Sequence, residues 1–199
     1  IEARVAQVGF SHRHADLIMM DGSALPRQRF IIDGQTGRLF VPVPRRVISE
    51  GEATLCIPEE RAGVELLCDL ALAEDRADGA WIDRWSAYHG SPAGVMAVFM
   101  PQAAKLEGVV VDADEVDLRN PLVANEARLV RMLNADREAL GRACRAALGA
   151  EVHDPLAVGI DAWGLDVRTR VGMVRVRVHD APLSERTVET SLRSWVQAS

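Results

Sequence analysis

The feature that most limits what this chain can fold into is a change of hydrophobic period near residue 150. From 120 to 150 it reads NPLVANEARLVRMLNADREALGRACRAALGA, and Leu122, Leu129, Leu133, Leu140, Cys144 and Leu148 recur at helical spacing. One stripe of that run is therefore buried. Asn120 suits a helix cap, Pro121 a first helical position and Gly149 a stop. Asn134-Ala-Asp136 is a second cap signal, which predicts a break into two helices. The next stretch, LAVGIDAWGLDVRTRVGMVRVRV, changes to period two: Leu156 to Ile160 is a strand, Asp161 to Gly164 a turn, and Leu165, Val167 and Thr169 alternate with Asp166, Arg168 and Arg170. From Met173 to Val178 valines face one way and arginines the other, Pro182 ends the strand, and Ser184 can cap a last helix carrying Val188, Leu192, Trp195 and Val196. The C-terminal part thus reads helix, helix, three strands, helix.

Upstream the pattern is mostly strands. Glu2 to Val8 is amphipathic and fits either a helix or a strand. His14 to Met20, Arg27 to Ile32 and Arg38 to Val43 read as a meander broken at Asp21-Gly22 and at Asp33 to Gly37. Pro42 and Pro44 place the third of these at an edge or an exit. Ala53 to Ile57 and Val64 to Leu72 follow, the latter with clean period two. Residues 73–79 are a connection. Trp81, Ile82, Trp85 and Tyr88 have helical spacing and more simply form a core stripe than a ligand pocket, and Val95 to Met100 and Lys105 to Val111 read as two strands around Pro101. The domain boundary is expected between Asp112 and Asn120, giving domains 1–116 and 117–199.

The 199 residues, 48% hydrophobic and 26% charged, are enough for one large or two small domains with a real core. The formal net charge of -6 argues against nucleic acid as the main partner, since phosphate binding needs a concentrated basic surface. No apolar run approaches membrane-spanning length and no leader pattern opens the chain, so no membrane partner is expected and the location reads as cytoplasmic. Because residue 1 is Ile1 and not methionine, the chain is expected to be a trimmed form of a longer product. Cys56, Cys68 and Cys144 are odd in number and far apart, and read as reduced core residues.

RMLNADREAL and VGIDAWGLDVR resemble the small C-terminal domain of the HugZ-type haem-utilisation family, whose barrels are related to pyridoxamine-phosphate oxidases. There the phrases typically run H-M-N-x-D-H-A-x-A-L and G-I-D-x-x-G-L-D-L-R. Asn134, Asp136, Ala139, Leu140, Gly159, Ile160, Asp161, Gly164, Leu165, Asp166 and Arg168 match. Arg131 and Arg137 stand where histidines are usual, so no role of those histidines carries over. GRLFVPVPRR and ATLCIPEERAGVELLCDLAL are similar to barrel strands of that family. The resemblance implies an α+β protein: an FMN-binding-type split β-barrel followed by a small helix-helix-three-strand-helix domain, pairing as a homodimer. It also implies haem as ligand, with haem utilisation or degradation as the role.

A haem site needs an axial ligand, an apolar wall and cations for the propionates. His12 and His14 project from one face if that segment is extended. Arg27 and Arg29 are near in sequence, as is Arg13, and Met19, Met20 and Phe30 can supply apolar wall. The expected cofactor-binding residues are therefore His12, His14, Arg27 and Arg29, with His14 as the iron ligand. The plain alternative is two exposed histidines at a strand entrance. His89 reads as a helix C-terminal residue, and His153 and His179 as solvated turn residues. H-E-x-x-H and C-x-x-C are absent, so no zinc site is expected, and no catalytic residue can be assigned. Flavin mononucleotide is the second cofactor considered, with Arg38, Arg45 and Arg46 as barrel arginines for its phosphate and Lys105 the sole lysine. A third reading is a non-catalytic regulatory module of tetrapyrrole metabolism, after plant proteins of similar build that bind the reductase that begins that pathway.

Overall fold

The computed structural model describes residues 2–58, 63–74, 80–177 and 183–197. The expectations for 75–79, Val178, His179, Asp180 and Pro182 lie outside them. The chain forms two compact units, residues 1–119 and 120–199.

In the first unit, the segment open to two readings is a helix, α1 (Glu2–Ser11), because Val5 and Val8, one turn apart, are both buried with Phe10. Seven strands of its sheet follow as β1 (His14–Met19), β2 (Ala24–Arg29), β3 (Ile31–Ile32), β4 (Leu39–Val43), β5 (Glu52–Ile57), β6 (Val64–Leu72) and β7 (Val95–Leu106), ordered β2-β1-β5-β6-β7-β4-β3. The short helix α2 (Arg45–Ile48), the helix α3 (Ala80–His89) and the strand β8 (Val109–Asp112), which pairs with β7, complete the unit.

Phe30 alone separates β2 from β3, yet they stand at opposite edges of the sheet. Neighbouring Cα atoms are about 3.8 Å apart, so the edges can be no more than about 7 Å from each other there. The sheet is therefore curled until its ends meet. The stretch 27–32 expected as one strand is a strand bent at Phe30, and each half pairs with a different edge. β3 pairs with β4 through Ile31↔Phe40 and Ile32↔Leu39, but among the described strands no ladder joins β2 to β3 or β4, so the closure is partial and the barrel split. Alternation points Leu17, Val41, Leu55, Leu66 and Phe99 inward, all fully buried. Each contributes about 1.5–3 kcal/mol of apolar burial.

One strand expectation is corrected. Lys105 to Val111 is not a separate strand after Pro101, because β7 runs through Pro101 to Leu106 and the turn comes at Glu107-Gly108. Leu67 pairs with Ala103 and Cys68 with Pro101, so Gln102 is bulged out, and a bulge is where a strand tolerates proline.

The second unit has α4 (Val123–Asn134), α5 (Arg137–Leu148), β9 (Leu156–Asp161), β10 (Gly164–Thr169), β11 (Gly172–Val176) and α6 (Val188–Gln197), its sheet ordered β11-β10-β9. The helix break falls where Asp136 caps α5, its carboxylate accepting the Ala139 N–H at 2.9 Å. Asn120 is not the cap of α4, which starts at Val123. Its amide accepts the Leu122 N–H at 3.0 Å and donates to the Ile160 carbonyl at 2.7 Å, tying the helix entrance to β9. Leu129, Leu133, Leu140, Cys144, Ile160, Leu165, Val167, Val188 and Leu192 form this unit's own core.

The motif residues of this unit serve its backbone. Asn134 brackets Ala157, donating to its carbonyl at 2.8 Å and accepting its N–H at 2.9 Å, as a neighbouring strand would. Gly164 has φ +152°, and a Cβ there would lie 2.3 Å from the Val176 carbonyl oxygen. Only glycine fits. Arg175 departs from the expected row of outward arginines: it is 13% exposed and paired with Asp161 and, at 3.4 Å, with Asp166.

Candidate functional site

The site is built where α1 gives way to β1. Ser11 closes α1 by donating to the Gln7 carbonyl at 2.7 Å, and the His12 ring places Nδ1 3.2 Å from the Val8 carbonyl oxygen. His12 therefore sits on the helix end and not in an extended segment. Arg13 makes the corner, donating to the carbonyls of Phe10 at 2.9 Å and His12 at 2.6 Å. His14 then opens β1. The two rings still meet, 6.2 Å between centroids and edge to face.

On β1, Ala15 and Leu17 are fully buried, so His14, Asp16 and Ile18 face outward. Directly opposite residues of an antiparallel pair share a face, and His14 pairs with Arg29 of β2. Arg27 comes from the same strand, its N–H donating to Asp16 Oδ1 at 2.7 Å. Burial, followed by the positive charges of Arg27 and His12, lowers the His14 pKa below the ordinary histidine value, with Asp16 opposing. A neutral imidazole with a lone pair is the form that binds a metal. His12, His14, Arg27 and Arg29 are thus brought together.

The expected apolar wall is not. Phe30 and Met19 are buried, 0% and 7% exposed: Met19 stands five positions from His14 on β1 and so takes the opposite face, and Phe30 is turned inward at the bend between β2 and β3. The next outward apolar residue on β1 is Ile18, about 13 Å from His14 at about 3.3 Å per residue, and Met20, 63% exposed, lies further along, so β1 puts no apolar wall directly beside His14. Asp16 was missed in the sequence although period two already placed it beside His14. Tyr88 had no local signal: the Arg13 guanidinium lies 5.7 Å from its ring centroid and that of Arg84 5.8 Å. Arg84 and His89 of α3 reach the carbonyls of Ile32 at 3.3 Å and Phe30 at 3.2 Å, pinning the bend that closes the barrel. His89 is the last residue of α3, as expected, and its ring also packs 4.6 Å from that of Trp85.

Other candidates carry less. Arg38 and Arg45 flank the extended strand β4 and stand roughly 20 Å apart at about 3.3 Å per residue, too far to share one phosphate. Lys105 is engaged with Glu65 at 3.2 Å. Burial raises the pKa of all three thiols, that of Cys144 to about 11, so none is a ready thiolate. His153 is exposed, and its carbonyl accepts the Arg170 N–H. A groove of about 390 Å³ in the second unit is lined by Met132, Leu133, Leu192 and Val196. Its polar groups are occupied: Asp136 caps α5, and Arg142 and Arg193 pair with Glu138 and Glu189. Among the described residues no group of three or more His, Cys, Asp or Glu could hold a metal ion, and no helix is long and apolar enough to cross a membrane.

No family model matches this sequence, and neither does any curated protein. Among solved structures, the Agrobacterium tumefaciens protein Atu2129, of unknown function, is similar with a TM-score of 0.67 at 18% identity, over 97% of this chain and 94% of that one. The fold is shared through both units. A pyridoxamine 5'-phosphate oxidase candidate from Listeria innocua is similar over 54% of this chain and 98% of its own, at 15% identity and a TM-score of 0.42. A Clostridium acetobutylicum protein related to general stress protein 26, of the pyridoxinephosphate oxidase family, is similar over 58% of this chain and 96% of its own, at 13% identity and a TM-score of 0.41.

Proposed function

We propose that this split-barrel protein binds haem on the outward face of β1 and β2, with His14 as the iron ligand. The observation that carries the reading is His14 itself, half-buried, shifted toward its neutral form, paired across the strands with Arg29 and within reach of the charge of Arg27. The polar donors fit the group, with an imidazole for iron and two cations for propionates, and Ile18 is the nearest outward apolar residue on β1. Haem would supply the redox and ligand-binding chemistry of its iron. His12 stands as a second imidazole beside the first, tied to Val8 through Nδ1 and so turned with Nε2 away from the helix.

The flavin reading is suggested by the names of the two shorter structural matches, but at those TM-scores they do not support it. The separation of Arg38 from Arg45 counts against one phosphate site shared by Arg38, Arg45 and Arg46, although Arg45 and Arg46 are neighbours at the start of α2. Haem turnover presupposes binding and comes after it, whereas a non-catalytic regulatory role is the reading that a failure to bind haem would favour.

Titration with haemin, followed by absorption, tests the reading. A saturable Soret shift near one haem per chain is expected, with affinity falling about tenfold or more in His14→Ala, the loss of one coordinate bond. No saturable shift, or an identical shift in His14→Ala, sinks the assignment.

A further inference from the structure

Between β1 and β2 the register runs Ala15↔Gln28 and then Leu17↔Leu25, so Pro26 and Arg27 together oppose the single residue Asp16. This is a β-bulge. Pro26 has no N–H to give, and Arg27 sits at φ +52°, in the left-handed region. A chain that needed only the bend would use glycine there, since glycine enters that region without steric cost. Among the described non-glycine residues only Glu107 and Asp154 share this conformation, and Arg27 alone of the three holds it beside the candidate site, which is the kind of outlier that points to a use for the side chain. The strain is held by one contact, the 2.7 Å bond from the Arg27 N–H to the Asp16 carboxylate.

Charge pairing gives a second, independent observation. Arg119, Arg128, Arg142, Arg145, Arg175 and Arg193 each have a carboxylate partner. Among the described residues the guanidinium groups of Arg27 and Arg29 are in no ion pair, which is equally true of Arg45, Arg46, Arg131, Arg137, Arg170, Arg177 and Arg186; what sets Arg27 and Arg29 apart is that they stand on the strand paired with His14, whose pKa the Arg27 charge lowers. Arg27 and Arg29 outnumber the one carboxylate on the face of His14, Asp16, and a guanidinium fork matches a carboxylate, so the face favours anionic ligand groups.

We infer that Arg27 is the carboxylate-selecting residue of this face and that Asp16 is the positioning residue that holds it there. The ligand then carries a free carboxylate beside the group that His14 takes. This rests on the haem reading for the identity of the ligand, but not for its charge.

The test compares haemin with its dimethyl ester, which keeps the iron and lacks the carboxylates. Wild-type protein is expected to prefer the free acid by about tenfold, the size of one charge-assisted hydrogen bond. The preference should vanish in Arg27→Gly and Asp16→Ala and return in Asp16→Asn, whose amide oxygen still accepts the Arg27 N–H. Arg27→Gly should also melt at the wild-type temperature or up to about 4 °C above it, because glycine relieves the positive φ. Equal binding of acid and ester by wild type overturns the inference and leaves haem binding standing. A lower melting temperature for Arg27→Gly overturns it too, since Arg27 would then be a structural residue. If neither porphyrin binds, the haem reading falls and a succinate titration followed by the Arg27 amide resonance decides. A shift in wild type that is lost in Asp16→Ala upholds the carboxylate site, and no shift in wild type ends it.

Discussion

At the scale of single residues, His14 links the site to stability. Its pKa is lowered in the folded chain by burial and by the charges of Arg27 and His12. The unfolded chain therefore takes up a proton first as the pH falls through about 6.5. Stability present above that value is lost as the pH drops on through the folded pKa, because the unfolded state binds more protons in that window. The denaturation midpoint of the wild type should fall between about pH 7 and pH 5.5 more steeply than that of His14→Ala. Parallel curves would mean that the fold does not perturb His14. The spacing His12-x-His14 and the nearness of Arg27 and Arg29 were legible in the sequence. The sides on which Met19 and Phe30 stand were not used, although strand parity from His14 already sends Met19 inward. Phe30 could not be placed before the bend was known.

At the scale of elements, local chemistry was a good guide where one residue decides a boundary. Asp136 and Gly149 bracket α5 as expected, the glycine with φ +65°. Replacing Asp136 by alanine leaves the Ala139 N–H without its acceptor and should cost about 1 kcal/mol. That lowers the melting temperature by about 2–4 °C for a chain of this size. An unchanged melt would show that water caps α5 equally well. Where two local rules compete, the sequence misled. Pro101 looked like a strand end, but a bulge absorbed it and β7 continued. Asn120 had the composition of a cap, yet its amide is spent on β9, forty residues away, a partner that no local pattern announces. Arg175 was likewise read as a surface residue, because its partners Asp161 and Asp166 become neighbours only when the three strands pair.

At the scale of the whole molecule, barrel closure depends on Phe30, a residue whose role is set by strands far from it in sequence. The periods of the strands told which faces are apolar, but not that one strand would bend and pair with both edges of the sheet. The second unit is simpler, since its helix and strand periods agree with the break at Asp136 and the stop at Gly149. Its core residues, from Leu122 to Leu192, all lie within 120–199. Asp161, Asp166 and Arg175, its buried charges, pair with one another inside the same span. We expect the fragment 120–199 to fold alone. At about 80 residues it is near the size where one core becomes marginal, so the melt should be cooperative but low. Circular dichroism would show mixed helix and strand with a sigmoidal transition. Arg175→Leu should abolish that transition, because two carboxylates would be left buried without their cation, a loss of about 3–5 kcal/mol. A fragment with the spectrum of an unfolded chain would mean that its core, though complete in residues, cannot offset the entropy of ordering them without residues 1–119.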